Sequence, residues 1–290
     1  VEKIVSLSTT YAGAFAALGA VDHLIAVDNA KYLFAPALRE RAANGDILEV
    51  GAAGRLDLEV IIALQPQLVL LTQINPGQEN LVSRLEAAGI PVLVTAAWRE
   101  NSPLGRSEWI KLFGILCGEE ERAETLFSKV RERYESLRNR VAESDPAPPQ
   151  VLLSAPYGGT WYMPGGDSFS VQLLKDAGAQ SLWPANPSTG SFPIDIESAM
   201  LRGFKADFWL NPGQYASLAE LAAADPRFAD LPVFAADRVY NRNAQVSPNG
   251  ANDYWESGSV YPDRILADLI SIFHPELLPD HELFYYRKLP

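Results

Sequence analysis

One helical pattern in this chain is too long to belong to a single small lobe. It lies in GEEERAETLFSKVRERYESLRNRVAESD (118–145), where apolar residues recur every three or four positions. The apolar stripe consists of Ala123, Leu126, Phe127, Val130, Tyr134, Leu137 and Val141. A helix of about 25 residues is roughly 37 Å long at 1.5 Å per residue. The pattern therefore predicts a rod that joins two separate parts of the fold.

Strand and helix patterns alternate on both sides of this helix. Before it, short aliphatic runs are separated by helical patterns, which is typical of βαβ units and a mainly parallel sheet. After it, DPAPPQ (145–150) stops the helix, because proline lacks the backbone donor, and a second α/β pattern begins at VLLSA (151–155). The sequence predicts an α/β fold of two three-layer lobes with mainly parallel sheets, joined by a single long α-helix. The expected boundaries are 1–118, 119–145 and 146–290.

Composition excludes several classes of partner and site. The chain has 290 residues, a formal net charge of −12 and a single cysteine. No basic field is available to hold a nucleic acid, and Cys117 alone can form neither an internal disulfide nor a cysteine-based zinc site. No run of about 18 apolar residues exists that could span a membrane. The chain opens directly on a strand pattern, and a processed protein would look the same.

Sequence motifs for catalysis and cofactor binding are lacking. No G-x-G-x-x-G follows a strand and no G-x-x-x-x-G-K-[ST] occurs, so the phosphate cradles of nucleotide sites are missing. His23, His274 and His281 do not have the spacing of metal ligands. The G-x-S-x-G motif that presents a serine nucleophile is not present either. We therefore predict no catalytic residue, no metal site and no cofactor. An enzyme that works in a cleft between the lobes remains the alternative of a different class, and a nucleophile–base pair or cofactor anchor would distinguish it.

Aromatic and arginine residues follow the strands or lie in loops. Ligands of open α/β sheets bind beyond the carboxyl ends of strands, where aromatic faces grip apolar surface and arginine pairs with anionic oxygens. The predicted ligand-binding residues are Tyr11, Tyr32, Arg55, Trp98, Arg99, Trp161, Trp183, Phe192, Tyr215, Arg242, Tyr254 and Trp255. For any one aromatic, a place in the core or at a lobe edge is the alternative. Arg106 is a further candidate, with a salt bridge at a helix entry as its alternative.

Two segments echo each other about half a chain apart. DLEVIIALQPQLVLLT begins at Asp57 and DIESAMLRGFKADFWLN begins at Asp195, and each predicts a helix followed by a strand. Glu59 and Glu197 occupy the same place in the two copies. One interpretation is that each acid complements the positive end of its helix, behind an aspartate cap.

The ordered set of these motifs resembles one family over nearly the whole chain. It comprises LEVIIALQPQLVLL, LVSRLEAAGIPVLV, GEEERAETL, LLKDAGAQSLW, ADFWLNPG, RVYN and HPEL. In this order and spacing the chain resembles the class III substrate-binding proteins of ABC importers, which capture iron–siderophore complexes, haem or cobalamin.

The resemblance implies a fold, a location and partners. It implies two lobes bridged by one rigid helix, a ligand held in the cleft between them, and an exposed glutamate on each lobe that docks on the membrane permease. Glu59 and Glu197 stand at the matching positions. The expected protein is a monomer that is periplasmic or otherwise extracytoplasmic. It would meet the membrane through the permease or through an N-terminal lipid anchor.

The ligand expected from the resemblance is a chelate rather than a bare cation. The metal-ion branch of this architecture relies on several cleft histidines, which this chain lacks. A ferric siderophore is the first expectation, with cobalamin and then haem as alternatives. The segment AAWRENSPLGRSEWIKLFG (96–114) is unusual for the best-known siderophore and cobalamin binders, which predicts a subfamily with its own ligand.

Overall fold

The first half of the chain alternates strands and helices as its hydrophobic pattern predicts. The computed structural model describes residues 1–52, 55–72 and 79–290. The strands are β1 Ile4–Ser6, β2 Leu24–Val27, β3 Leu48–Glu49, β4 Gly51–Ala52, β5 Arg55–Leu56, β6 Leu68–Leu71 and β7 Val92–Val94. The helices are α1 Ala12–Leu18, α2 Pro36–Asn44, α3 Leu58–Ala63, α4 Glu79–Ala87, α5 Pro103–Glu108, α6 Ile110–Cys117 and α7 Glu120–Ser144.

The second half contains a further set of strands and helices. The strands are β8 Gln150–Leu153, β9 Pro156–Tyr157, β10 Thr160–Pro164, β11 Gln180–Ser181, β12 Ser191–Ile194, β13 Phe208–Leu210, β14 Val239–Asn241 and β15 Arg287–Lys288. The helices are α8 Phe169–Asp176, α9 Ile196–Gly203, α10 Leu218–Ala224, α11 Pro232–Ala235, α12 Asp253–Glu256 and α13 Pro262–Phe273.

The predicted long helix is confirmed as α7, which is 25 residues long. Its first turn carries Glu120 and Glu121, which complement the helix dipole. It ends at Ser144, and the next residue, Asp145, has a positive φ of 43° and immediately precedes Pro146. Ala123, Phe127, Val130, Tyr134 and Val141 of the predicted stripe are buried.

The chain packs as two compact units. Unit 1 consists of 1–98, 105–130 and 246–261, and unit 2 consists of 99–104, 131–245 and 262–290. The expected boundaries placed 246–261 in the C-terminal lobe, whereas this segment packs with unit 1. Helix α7 contributes residues to both units.

The sheet of unit 1 has helices on both faces. Its strand order is β3-β2-β1-β6-β7, and every neighbouring pair is parallel. Adjacent β1 residues point to opposite faces: Ile4 packs with Phe15 of α1 and Phe113 of α6, whereas Val5 packs with Ile61 of α3. This is the three-layer α/β arrangement, and the predicted fold class is confirmed.

Unit 2 combines a mainly parallel sheet with a small antiparallel one. The larger sheet has the order β11-β8-β13-β14-β15, in which only the edge pair β14–β15 is antiparallel. The smaller sheet is β12-β10-β9. Gly158 and Gly159 join β9 to β10 with φ values of 58° and 81°, which a type I′ hairpin turn requires.

Candidate functional site

The order of strands in unit 1 marks one edge of its sheet as a candidate binding site. β1 lies between β2 and β6, so the chain connections reverse direction between β1 and β6. In open α/β sheets, ligands bind outside the carboxyl ends of the strands at this point. The loops that leave β1, β6 and β7 there carry Ser8, Thr72 and Trp98.

A cavity of about 310 Å³ opens at this edge, and all of its lining residues belong to unit 1. Its wall is mainly aromatic, with hydroxyl groups and one guanidinium group. The aromatic lining residues are Tyr11, Trp98, Trp109, Phe113 and Trp255. Arg106, Ser8, Thr10, Thr72, Ser107 and Ser259 supply the polar groups. The cavity can hold a ligand that has both flat apolar faces and anionic oxygens.

Tyr11 forms the inner part of this wall. Its hydroxyl group donates a hydrogen bond to Oγ1 of Thr95, because the Thr95 hydroxyl itself donates to the carbonyl oxygen of Leu71 at 2.9 Å. Burial raises the pKa of the Tyr11 phenol, and the bond to Thr95 and the charge of Arg106 lower it in part. The phenol is therefore protonated at neutral pH. The positive charge of Arg106 is near enough to act on the phenol oxygen.

Two tryptophans form exposed parts of the wall. Trp98 is 42% exposed, and its Nε1 donates to the carbonyl oxygen of Thr72 at 3.1 Å. Trp255 is exposed to a similar degree and meets the ring of Tyr254 edge to face at 5.2 Å. Large exposed apolar side chains beside a cavity are typical of a ligand site.

The structure brings together four of the predicted ligand-binding residues in unit 1: Tyr11, Trp98 and Trp255 line the cavity, and Tyr254 packs beside Trp255. Tyr32 is exposed in a 3₁₀ turn outside the cavity lining. The side chain of Arg55 lies outside the described part of the chain. Arg106, the further candidate, also lines the cavity, together with Trp109 and Ser259. The sequence signal for Arg106 and Trp109 was the segment 96–114.

The residues predicted in unit 2 are more dispersed. Arg99 is exposed, and Trp183 is half-buried with the guanidinium of Arg202 4.8 Å from its ring. Phe192 is half-buried in β12, opposite Met163. Tyr215 and Arg242 are also partly buried. The Tyr215 carbonyl accepts bonds from the Asn241 and Asn243 amides at 3.1 and 3.2 Å.

Trp161 lies in the interior of unit 2. It is 0% exposed, its Nε1 donates to the carbonyl oxygen of Leu153 at 2.8 Å, and its ring stacks on Trp209 at 5.9 Å. It has no surface to offer a ligand, so the alternative of a core residue fits Trp161 better than ligand binding.

The neighbour of Trp161 has the opposite orientation. Tyr162 is exposed on the outer face of β10, and Tyr157 of β9, at 84% exposure, lies on the same face. Strand alternation explains the inversion, because successive side chains of a strand point to opposite faces. The period of two in TWYMP was the signal that could have selected Tyr162 in place of Trp161.

Comparison with known proteins identifies the family. A sequence model described as periplasmic binding protein matches residues 4–245. The chain belongs to the periplasmic binding protein family. An uncharacterised lipoprotein of Methanocaldococcus jannaschii is 25% identical over 87% of this chain. The match covers 58% of that relative, so this chain spans less than two thirds of its length.

Solved structures of periplasmic binding proteins share the fold of this chain. The periplasmic haem-binding protein of Pseudomonas aeruginosa has a TM-score of 0.71 at 22% identity, over 94% of this chain and 93% of that one. Apo RhuT, a periplasmic haem-binding protein of Roseiflexus sp. RS-1, has a TM-score of 0.72 at 21% identity, over 95% and 99%. HutB, a periplasmic haem-binding protein of Vibrio cholerae, has a TM-score of 0.68 at 22% identity, over 91% of this chain and 97% of that one. At these identities the likeness concerns the fold.

The two echoed glutamates of this periplasmic binding protein are exposed in the first turn of their helices. Asp57 caps α3 by accepting from the Val60 N–H at 3.1 Å, and Asp195 caps α9 by accepting from the Ser198 N–H at 2.7 Å. Glu59 is exposed on α3. The Glu197 side chain is 78% exposed, and its Oε1 lies 3.6 Å from a guanidinium nitrogen of Arg227.

Among residues 1–52, 55–72 and 79–290, no three His, Cys, Asp or Glu side chains are grouped so that they could hold a metal ion. Over the same ranges, no helix has the length and the apolar character needed to cross a membrane.

Proposed function

We propose that this periplasmic binding protein captures an iron complex and delivers it to the permease of an ABC importer. The cargo proposed first is a ferric siderophore. The observation that carries the proposal is the unit 1 cavity, where Arg106 lies among the rings of Tyr11, Trp98, Trp109 and Trp255. An organic chelate presents apolar surface and anionic oxygens together, and these walls complement both.

Haem is the second candidate ligand. The cavity wall is rich in flat aromatic faces, which suit a planar macrocycle. Three solved proteins of the same fold, from Pseudomonas aeruginosa, Roseiflexus and Vibrio cholerae, are haem-binding proteins. Cobalamin is retained as an outcome of the binding experiment. The placement of the ligand between two lobes stays a prediction.

The same proposal gives Glu59 and Glu197 the task of docking on the permease. Both carboxylates are exposed, so they lose little hydration before they meet a partner. The pair between Glu197 and Arg227 is open to solvent, and such pairs contribute about 0–1 kcal/mol. An arginine of the permease can therefore replace Arg227 as the partner of Glu197. The extracytoplasmic location and the lipid anchor remain parts of this proposal.

Fluorescence titration tests which ligand the protein binds. Three of the six tryptophans, Trp98, Trp109 and Trp255, line the cavity, so a bound iron complex should quench a large part of the emission. The purified protein is titrated with a ferric catecholate siderophore, a ferric hydroxamate siderophore, haemin and cyanocobalamin. We expect micromolar or tighter binding of at least one iron complex. Absence of quenching by all four would contradict the proposal.

The same samples separate a binding protein from an enzyme that uses a cleft. Ligand recovered from the saturated protein after prolonged incubation is measured by mass spectrometry. A binding protein returns the ligand unchanged, whereas an enzyme returns a product of altered mass.

A further inference from the structure

One wall of the unit 1 cavity comes from a segment distant in sequence. Residues 246–261, here called the strap, pack with unit 1 and supply Trp255, Ser259 and Val260 to the lining. The position of the strap therefore sets the shape of the cavity, and the contacts that hold the strap act on the ligand site.

A buried carboxylate ties the strap to the start of helix α2. Glu256 is 3% exposed, and its Oε2 and Oε1 accept hydrogen bonds from the backbone N–H groups of Phe34 and Ala35 at 2.7 and 2.8 Å. Ala35 precedes α2 and has no side-chain cap of its own. Glu256 therefore satisfies donors at a helix start more than 200 residues earlier in the chain.

Other contacts hold the backbone of the strap on either side of this carboxylate. A Cβ on Gly13 of α1 would lie 2.4 Å from the carbonyl oxygen of Glu256, so the two backbones approach as closely as glycine allows. The Ser107 hydroxyl donates to the carbonyl oxygen of Val260 at 2.6 Å. The Ser259 hydroxyl donates to the carbonyl oxygen of Glu256 at 2.8 Å.

We propose that Glu256 is a positioning residue of the unit 1 cavity. By tying the strap to the start of α2, it holds Trp255 and Ser259 in the cavity wall. Ionisation of the Glu256 carboxyl group changes how firmly these two residues are held. The effect on ligand affinity rests on the proposed function. The tie itself is a property of the chain without ligand.

The charged groups that face Glu256 are Asp253 on its own helix and Arg39 on α2. Burial raises the pKa of Glu256 to about 7, against the lowering by the two backbone N–H groups, with Asp253 raising it further and Arg39 lowering it. A strap that moved away would return the carboxyl group to water, where its pKa is ordinary. The strap in place thus holds the proton more strongly, so a rise in pH through about 7 weakens the tie.

Nuclear magnetic resonance of the ligand-free protein tests the tie directly. With ¹⁵N-labelled phenylalanine, alanine and tryptophan, the Phe34 and Ala35 amides and the Trp255 indole are followed from pH 5.5 to 8.5. We expect all three signals to shift with one midpoint near 7 in the wild type and to lose this midpoint in Glu256→Gln. The wild-type titration stands even if the variant folds poorly. A Trp255 signal that does not follow the two amides would overturn the positioning role.

Ligand affinity provides the second arm, with haemin and a ferric catecholate siderophore as probes. Affinities are compared per folded protein. At pH 6, Glu256→Gln should bind roughly two- to ten-fold more weakly than wild type, because one of the two hydrogen bonds from Phe34 and Ala35 is lost. The difference should narrow at pH 8. Gly13→Ala pushes the strap directly, so it should weaken binding while keeping the wild-type pH dependence. Glu86→Gln, an exposed carboxyl group of unit 1, serves as the control.

The outcomes of this arm are distinct. Unchanged affinity of both Glu256→Gln and Gly13→Ala would overturn the positioning role in binding. If the wild type binds neither these probes nor the ferric hydroxamate siderophore and cyanocobalamin, the proposed function fails, while the resonance titration still decides whether Glu256 positions Trp255.

Discussion

Nε1 of Trp98 donates a hydrogen bond to the carbonyl oxygen of Thr72, with 3.1 Å between the two atoms. Thr72 follows β6, so this bond fixes the indole at the carboxyl edge of the unit 1 sheet. The ring is nevertheless 42% exposed. An aromatic ring that is held in place but not covered loses little freedom when a ligand packs on it, which favours binding.

Removal of this ring should weaken ligand binding. For Trp98→Ala we expect a loss of about 1–2 kcal/mol, or roughly five- to thirty-fold in Kd for the iron complex that binds wild type. Trp98→Phe retains a ring but loses the bond to Thr72, so its effect should be smaller. Fluorescence titration of both variants measures this. Ile115→Ala, which removes another exposed apolar side chain of unit 1, should leave Kd unchanged.

The charge of Arg106 should matter for anionic ligands. We expect Arg106→Gln to weaken binding of an anionic iron complex by about ten- to a hundred-fold, since a charge-assisted hydrogen bond contributes roughly 1.5–3 kcal/mol. Binding of the uncharged cyanocobalamin, where it occurs, should change less. Kd is measured at low and high salt, and the variant should have the weaker salt dependence. An equal effect of Arg84→Gln, an exposed arginine of α4, would argue against a specific role.

The raised pKa of Glu256 should appear in the pH dependence of stability. Because the folded state binds this proton more strongly than the unfolded chain, the contribution of Glu256 is fully present below about pH 4.5 and is lost as pH rises through about 7. The shift corresponds to on the order of 3 kcal/mol. Urea unfolding at several pH values measures the free energy of unfolding. As pH rises through about 7, this free energy should fall by about this amount more in wild type than in Glu256→Gln. Parallel pH profiles of the two proteins would show that Glu256 does not titrate in this range.

Permease docking should separate from ligand binding. Glu59→Ala and Glu197→Ala should leave Kd for the ligand unchanged but reduce ligand uptake in vesicles that contain the permease and its ATPase, by about tenfold or more. Glu282→Ala removes an exposed carboxylate from another part of the chain and is the control. Loss of ligand affinity in the two docking variants would contradict the role proposed for them.

Most of the fold was predictable because it follows from local hydrophobic patterns. The buried runs that became β1, β2, β6 and β8 were visible in the sequence, as was the stripe of α7. The caps at Asp57 and Asp195 gave the helix starts of the echoed segments. The return of 246–261 to unit 1 was not predictable, because its contacts through Glu256 and Gly13 depend on tertiary packing.

The site was predictable only in part, because side-chain direction depends on neighbours. Tyr11, Trp98 and Trp255 line the cavity as selected, since they lie beside strand ends or on the strap. Trp161 was selected as an aromatic in a loop-like turn, but strand alternation turned it inward and left Tyr162 outside. A composition-based argument cannot make this distinction, whereas the register of β10 makes it directly.

If the unit 1 cavity holds an iron complex, its two exposed tryptophans, Trp98 and Trp255, should contribute much of the affinity. The most direct test compares wild type with the double variant Trp98→Ala and Trp255→Ala in calorimetric titrations with haemin and ferric siderophores, after thermal unfolding has shown that both proteins are folded. We expect micromolar or tighter binding to wild type and at least about thirty-fold weaker binding to the double variant. Equal affinity of the two proteins for the same complex would contradict it.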